Sequence, residues 1–227
     1  MTDALVLAHG AFHGPWCWQP TIERVEARGV HCVAVDLNRG GLEADRDALQ
    51  EAVDALRKQG HRVHAIGHSL GCCSVAALDP STLATAMLLA GPVANHPDLP
   101  SDREMITDGF IENLKPQDDG RAILPRDFAR AAFYHRCTED EAEAALDQLR
   151  PTFVYGTQPA DPPFWEQLPV TYIACSDDRA VRFAYQEAVA KRLPHSKILD
   201  FDHSPMLGHA EALSQAIFEA MAQTSPS

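Results

Sequence analysis

The chain has 227 residues, of which 45% are hydrophobic and 22% are charged, the balance of an ordinary globular domain. Its 32 acidic residues outnumber 19 basic ones, so the formal net charge is −13. This charge repels nucleic acid and acidic membrane surfaces, so we expect neither as a partner.

The first ninety residues alternate short apolar runs with helical patterns. The predicted strands are Leu5–Ala8, Val30–Val35, Val63–Ile66 and Thr85–Ala90. Of the intervening helices, the first begins at Pro15, the second spans Leu42–Lys58 and the third begins at Leu70. Such alternation predicts βαβ units and a parallel sheet, and right-handed crossovers would place helices on both of its faces.

The alternation stops between about Asn95 and Leu168. That stretch holds proline, charge and two helical patterns, Phe128–Tyr134 and Glu139–Leu149, but no convincing strand. It resumes with strands at Val170–Ala174 and Lys197–Phe201 and helices at Val181–Leu193 and His209–Ala222. We therefore predict an α/β core of residues 1–94 and 169–227, a helical cap insertion at 95–168, and a frayed tail at Thr224–Ser227.

The sequence indicates neither a targeting segment nor disulfide bonds. The residues after Met1 lead directly into Leu5-Val6-Leu7, without the basic and apolar regions of a signal peptide, and no segment is apolar enough to span a bilayer. The six cysteines form no C-x-x-C pair. We expect reduced, mostly buried thiols in a cytoplasmic protein.

The run Gly67-His68-Ser69-Leu70-Gly71 carries the clearest chemical signal. It matches the G-x-S-x-G nucleophile elbow of the α/β-hydrolase fold, with the required apolar strand before it and a helix after it. The two glycines permit a close strand–helix approach, and the strained turn exposes Ser69. We predict that Ser69 is the nucleophile; the alternative is a serine in an ordinary glycine-rich turn.

A serine nucleophile needs a base and an orienting acid, which in this fold follow it in the order acid, then histidine. His203 lies two residues beyond a predicted strand, where a base belongs, whereas His209 begins the next helix. Asp178 and Asp177 follow the preceding strand, and adjacent carboxylates point in different directions. We predict His203 as the base and Asp178 as the acid, with Asp177 in reserve.

An oxyanion hole needs two backbone N–H donors. Leu70 follows the nucleophile and should supply one of them. Ala11, in the loop after the first strand, should supply the other, because Gly10 lets this loop approach the site closely.

Aromatic and histidine side chains flank these donors. Phe12, His13 and His68 are candidate substrate-binding residues. His9, His13 and His68 fit no usual zinc spacing, so we predict neither a metal nor a cofactor.

Three further segments carry a family resemblance. They are residues 9–18 (HGAFHGPWCW), 172–181 (YIACSDDRAV) and 202–207 (DHSPML). Together with the elbow they resemble the plant-type methyl esterases and hydroxynitrile lyases, a group with bacterial esterase relatives. The resemblance implies that Asp178 rather than Asp177 is the acid and that His203 is the base. Hydroxynitrile lyases of this group typically carry threonine at the position of Gly10 and lysine at that of Ser204, so the esterase alternative is favoured.

We therefore expect hydrolysis of a small carboxylic ester through an acyl-enzyme, by a monomer or a homodimer. The alternatives are a lyase on the same scaffold, a thioesterase or amidase, and a non-catalytic small-molecule receptor. Two or three of the insertion's aromatic residues should face the pocket; the candidates are Phe110, Phe128, Phe133, Tyr134, Phe153, Tyr155, Phe164 and Trp165.

Overall fold

A parallel sheet organises the protein, for which the computed structural model describes residues 2–93, 102–158 and 161–223. The strands are β1 (Asp3–Ala8), β2 (His31–Val35), β3 (Arg62–His68), β4 (Thr85–Leu89), β5 (Lys115–Pro116), β6 (Ala122–Ile123), β7 (Val170–Cys175) and β8 (His195–Leu199). Six of them form one sheet in the order β2-β1-β3-β4-β7-β8, and every pairing in it is parallel. This confirms the predicted fold class.

Helices cover both faces of this sheet. They are α1 (Gln19–Glu26), α2 (Leu42–Lys58), α3 (Gly71–Ala76), α4 (Asp102–Met105), α5 (Phe110–Asn113), α6 (Arg126–Phe133), α7 (Glu139–Leu146), α8 (Phe164–Gln167), α9 (Phe183–Arg192), α10 (Pro205–Gly208) and α11 (Ala210–Met221). A 3₁₀ turn, Pro15–Trp18, precedes α1. None of the described helices is long and apolar enough to cross a membrane.

Strand β1 shows why the central strands are apolar throughout. Its residues alternate between two cores, since Val6 packs among the side chains of α2, α3 and α9, whereas Leu5 and Leu7 pack with those of α1 and α11. A strand buried on both faces needs an apolar residue at every position. The carboxyl ends of β1, β3, β4 and β7 consequently meet at one edge, where the loops are free to carry chemistry.

The segment between β4 and β7 has its own apolar cluster, built on Leu124, Phe133, Tyr134 and Leu146 and closed by Phe12 from the core. The prediction of no strand here was wrong in one detail, because β5 and β6 pair as a short antiparallel hairpin. Two half-buried or exposed residues per strand are too few to give a periodic pattern.

The boundaries differ from prediction in small ways. Helix α2 has the predicted bounds, whereas β8 begins and ends two residues before the predicted Lys197–Phe201. The predicted insertion boundary at Asn95 and the predicted frayed tail, Thr224–Ser227, lie outside the described residues.

Candidate active site

Ser69 occupies a sharp turn between β3 and α3. Its φ of +50° lies in the left-handed region that non-glycine residues rarely adopt, and its N–H donates to the carbonyl of Leu89 at 2.9 Å. A Cβ on Gly67 would lie 2.5 Å from the Gly71 carbonyl oxygen, and one on Gly71 would lie 2.6 Å from that of Ala8. Both glycines are therefore required for the turn to hold Ser69 in this strained conformation.

The loops after β7 and β8 bring a carboxylate to a histidine. His203 Nδ1 lies 2.8 Å from Asp178 Oδ2, and both side chains are buried. The N–H groups of Ala180 and Val181 donate to Asp178 Oδ1 at 2.8 Å, and the Gln186 amide donates to Oδ2 at 2.9 Å. Asp178 thus accepts four hydrogen bonds, which compensate for burying its charge.

Gln186 was not predicted as a site residue. It is fully buried in α9, and its amide oxygen also accepts the Cys175 N–H at 2.8 Å. A glutamine on an otherwise apolar helix face is a signal in principle, because a buried amide must find partners. Its particular partner was not predictable from the sequence.

Asp177, the reserve candidate, and His209, the less favoured histidine, contact other residues. Asp177 Oδ2 lies 3.1 Å from His135 Nε2, and 44% of the Asp177 side chain is exposed. The His209 ring stacks on Phe201 with a centroid distance of 4.6 Å. The structure therefore brings Asp178, and not Asp177, to His203.

His68 links the elbow to the histidine loop. Its Nε2–H donates to the His203 carbonyl at 2.7 Å, and the two ring centroids lie 4.7 Å apart. Within the described residues the Ser69 hydroxyl has no hydrogen bond, and the hydrogen bond between the elbow and the histidine loop is the one that His68 makes. In active sites without substrate, the hydrogen bond between a nucleophile and its base is often long and tightens only when substrate binds.

The Ser69 side chain faces a cavity of about 330 Å³. Its lining is Ala11, Phe12, Ser69, Leu70, Pro92, Met105, Ile106, Phe110, Val154, Tyr155, Gly156 and Val181. No charged side chain occurs in this set. Of the aromatic candidates named from the insertion, Phe110 and Tyr155 are in the lining.

The predicted oxyanion donors lie beside Ser69. Ala11 and Leu70 both line the cavity, and the backbone N–H of each has no backbone or side-chain acceptor among the described residues. Two groups of this kind at the edge of a cavity are available to a bound oxygen atom.

Only one of the three predicted substrate-binding residues lines the cavity. Phe12 is in the lining, whereas His13 and His68 are almost completely buried and bind backbone carbonyls behind it. Burial lowers the pKa of His13 to about 3 and places the pKa of His68 well below its usual value. Both rings are therefore neutral at ordinary pH.

Comparison with known proteins agrees with this architecture. A norfluorocurarine synthase 2 from Strychnos sp is 27% identical over 248 residues, covering 94% of this chain and 93% of the relative. Methylesterase 17 from Arabidopsis thaliana is 25% identical over 250 residues, covering 95% and 90% respectively. The crystal structure of a methylesterase from Arabidopsis superposes with a TM-score of 0.77 at 22% identity, over 97% of this chain and 99% of that one.

A family profile covers nearly the whole chain. Residues 5–216 match the alpha/beta hydrolase family, and this span contains the parallel sheet, apart from the first two residues of β1, and all the site residues described above. The chain therefore belongs to the alpha/beta hydrolase family.

Proposed function

We propose that this protein is a serine hydrolase that cleaves a small, uncharged carboxylic ester through an acyl-enzyme on Ser69. The family and the methylesterase relatives support an esterase-type hydrolase. The observation that carries the finer proposal is the buried His203–Asp178 hydrogen bond of 2.8 Å, on loops next to a serine held at positive φ.

In the first step, Ser69 Oγ attacks the ester carbonyl carbon while His203 Nε2 takes the hydroxyl proton. The His203 Nδ1–H keeps its hydrogen bond to Asp178. The carboxylate stabilises the imidazolium without taking up the proton itself. The carbonyl electron pair moves onto oxygen, where the N–H groups of Ala11 and Leu70 are the proposed donors. The product of this step is a tetrahedral oxyanion.

In the next step this intermediate collapses. The carbonyl re-forms, the bond to the alkoxy oxygen breaks, and His203 Nε2–H protonates the departing alcohol. A water molecule then gives a proton to His203 and adds to the acyl carbon, after which Ser69 Oγ departs and recovers that proton. The acid product leaves and the starting enzyme is restored.

The lining supports an uncharged substrate. An ester with an ionised group near the carbonyl would have to bury that charge against Phe110, Met105 and Val181, with no charged partner in the cavity. Burying an unpaired charge costs several kcal/mol. We propose that the helical segment between β4 and β7, which contributes Phe110 and Tyr155, acts as the cap that sets acyl and alcohol size.

The lyase alternative receives less support. Release of cyanide or another anionic fragment calls for a cation near the histidine, and the position after His203 holds Ser204, whose buried hydroxyl has no partner among the described residues. The cavity lining has no lysine or arginine. A neutral leaving alcohol needs no such cation.

The experiment is a screen of p-nitrophenyl esters with acyl chains of increasing length, run with wild type, Ser69→Ala, His203→Ala and His209→Ala. We expect activity in wild type and His209→Ala only, and labelling by a fluorophosphonate probe on Ser69 alone. Full activity in Ser69→Ala would reject the assignment of Ser69 as the nucleophile. Cyanide release from mandelonitrile without ester hydrolysis would favour the lyase, and a complete lack of labelling would favour a receptor.

A further inference from the structure

The loop between β1 and the 3₁₀ turn, residues 9–14, is held from behind by side chains that do not reach the cavity. We propose that His9, His13, Tyr134 and Thr152 are positioning residues that aim the Ala11 N–H at the oxyanion. This inference rests on the proposed function, because it assigns a role in the same acyl-transfer reaction. The polar groups of two successive peptide units in this loop carry the proposal.

The first unit joins Gly10 to Ala11. His9 Nδ1–H donates to the Gly10 carbonyl at 2.9 Å, and His9 Nε2 accepts the Leu37 N–H at 3.1 Å. The N–H at the other end of the unit is that of Ala11, which has no backbone or side-chain acceptor in the described part of the chain. One end of the unit is thus fixed, and the other is available beside Ser69.

The second unit joins Ala11 to Phe12, and both of its polar groups are bound. Its carbonyl, that of Ala11, accepts from His13 Nδ1 at 2.7 Å. Its N–H, that of Phe12, donates to Thr152 Oγ1 at 2.7 Å. Phe12 has a φ of +67°, a strained value for an aromatic residue, which persists only when the surroundings enforce it.

Tyr134 completes the support of His13. A carbonyl can only accept, so His13 must carry its proton on Nδ1, and its Nε2 must accept the proton of the Tyr134 hydroxyl at 2.8 Å. Both rings are buried, and His13 stays neutral. The hydrogen-bond chain therefore has a single direction, from Tyr134 through His13 to Ala11.

Tyr134 and Thr152 both belong to the segment between β4 and β7. That segment therefore supports the loop of the oxyanion donor as well as contributing to the cavity wall. An N–H that stabilises developing charge must already be aimed before the reaction, and removing one such donor typically costs about 10²–10³ in kcat. If the donor is kept but held less firmly, kcat should fall by less, about tenfold to a hundredfold.

The test compares Thr152→Val, which removes the acceptor of the Phe12 N–H, with Thr152→Ser, which keeps it. Thr85→Val is the matched control, since Thr85 is equally buried and its hydroxyl bonds His64 at the amino end of β4, away from the cavity. We expect kcat to fall about tenfold to a hundredfold in Thr152→Val only, with KM within threefold of wild type.

A second measurement distinguishes a misoriented Ala11 N–H from a general disturbance of the structure. A trifluoromethyl ketone forms a tetrahedral adduct with the nucleophile, so its Ki should rise in Thr152→Val by the factor by which kcat/KM falls. Tyr134→Phe, which removes the donor to His13, should behave in the same way and carries the test if Thr152→Val does not fold.

The Ser69→Ala variant distinguishes failure of the positioning proposal from failure of the hydrolase proposal. If kcat and Ki in Thr152→Val and Tyr134→Phe stay within twofold of Thr85→Val while Ser69→Ala is inactive, the positioning proposal fails and the hydrolase proposal stands. If Ser69→Ala retains full activity, the hydrolase proposal fails first.

Discussion

Replacing Asp178 with asparagine tests whether it orients His203, the proposed base. The substitution conserves shape but turns one carboxylate oxygen into an NH₂ group. Oδ1 accepts two backbone N–H groups at 2.8 Å, and Oδ2 accepts His203 and Gln186 at 2.8 and 2.9 Å. Wherever the new NH₂ group lies, it faces donors.

The backbone donors decide which way the amide turns. They cannot reorient without breaking the loop after β7, so the asparagine oxygen should stay on that side and its NH₂ group should face His203 and Gln186. To avoid a donor–donor contact, His203 must then move its proton from Nδ1 to Nε2. A ring protonated at Nε2 cannot accept the proton of Ser69, and the same exchange in a well-studied protease lowers kcat by about 10⁴.

Steady-state hydrolysis of a p-nitrophenyl ester measures the effect, and thermal unfolding checks that the variant is folded. Asp177→Asn is the adjacent control, and it should keep kcat within about twofold because Asp177 is 44% exposed and its neighbours are His135 and Arg136 rather than His203. A folded Asp178→Asn enzyme with kcat within tenfold of wild type would refute the assignment. So would an equal loss in both variants.

Two further predictions concern packing and pH. Gly71→Ala should lower the melting temperature and activity together, since its Cβ would lie 2.6 Å from the Ala8 carbonyl oxygen; Gly208→Ala, with nothing nearer than 3.4 Å, should change neither. Burial lowers the pKa of His13 to about 3 and also lowers that of His68. A pKa lower in the folded than in the unfolded state gives stability that is complete above pH 6.5 and declines toward pH 3, by up to ~1.4 kcal/mol per pH unit for each ring. Urea midpoints that are equal at pH 7.5 and pH 5 would contradict this.

The sequence predicted those features that depend on neighbouring residues. The apolar runs, the bounds of α2 and the elbow around Ser69 all follow from local spacing. Pairing of His203 with Asp178 was also expected, because both follow strands whose carboxyl ends lie at one edge of a parallel sheet.

Features that depend on distant contacts were not predictable. Thr152 meets Phe12 across 140 residues of sequence, and Tyr134 meets His13 across 121. Nor could spacing say which side of the cavity wall His13 would occupy, because the positive φ of Phe12 sets the direction of the chain there. Strand β8 was displaced by two residues in the prediction since Phe201, although apolar, packs against the core after the strand has ended.

The neutrality of the buried histidines has a consequence for His203, the proposed base. His68 and His203 lie 4.7 Å apart between ring centroids, and two positive charges at that separation would repel each other by ~3.5 kcal/mol at an effective dielectric constant of 20. A protonated His68 would therefore oppose uptake of the Ser69 proton by His203. Burial prevents this, and the Nε2–H of the neutral ring still holds the His203 carbonyl. His68 can thus fix the position of the His203 loop without adding a charge that would oppose the proposed role of His203 as the base.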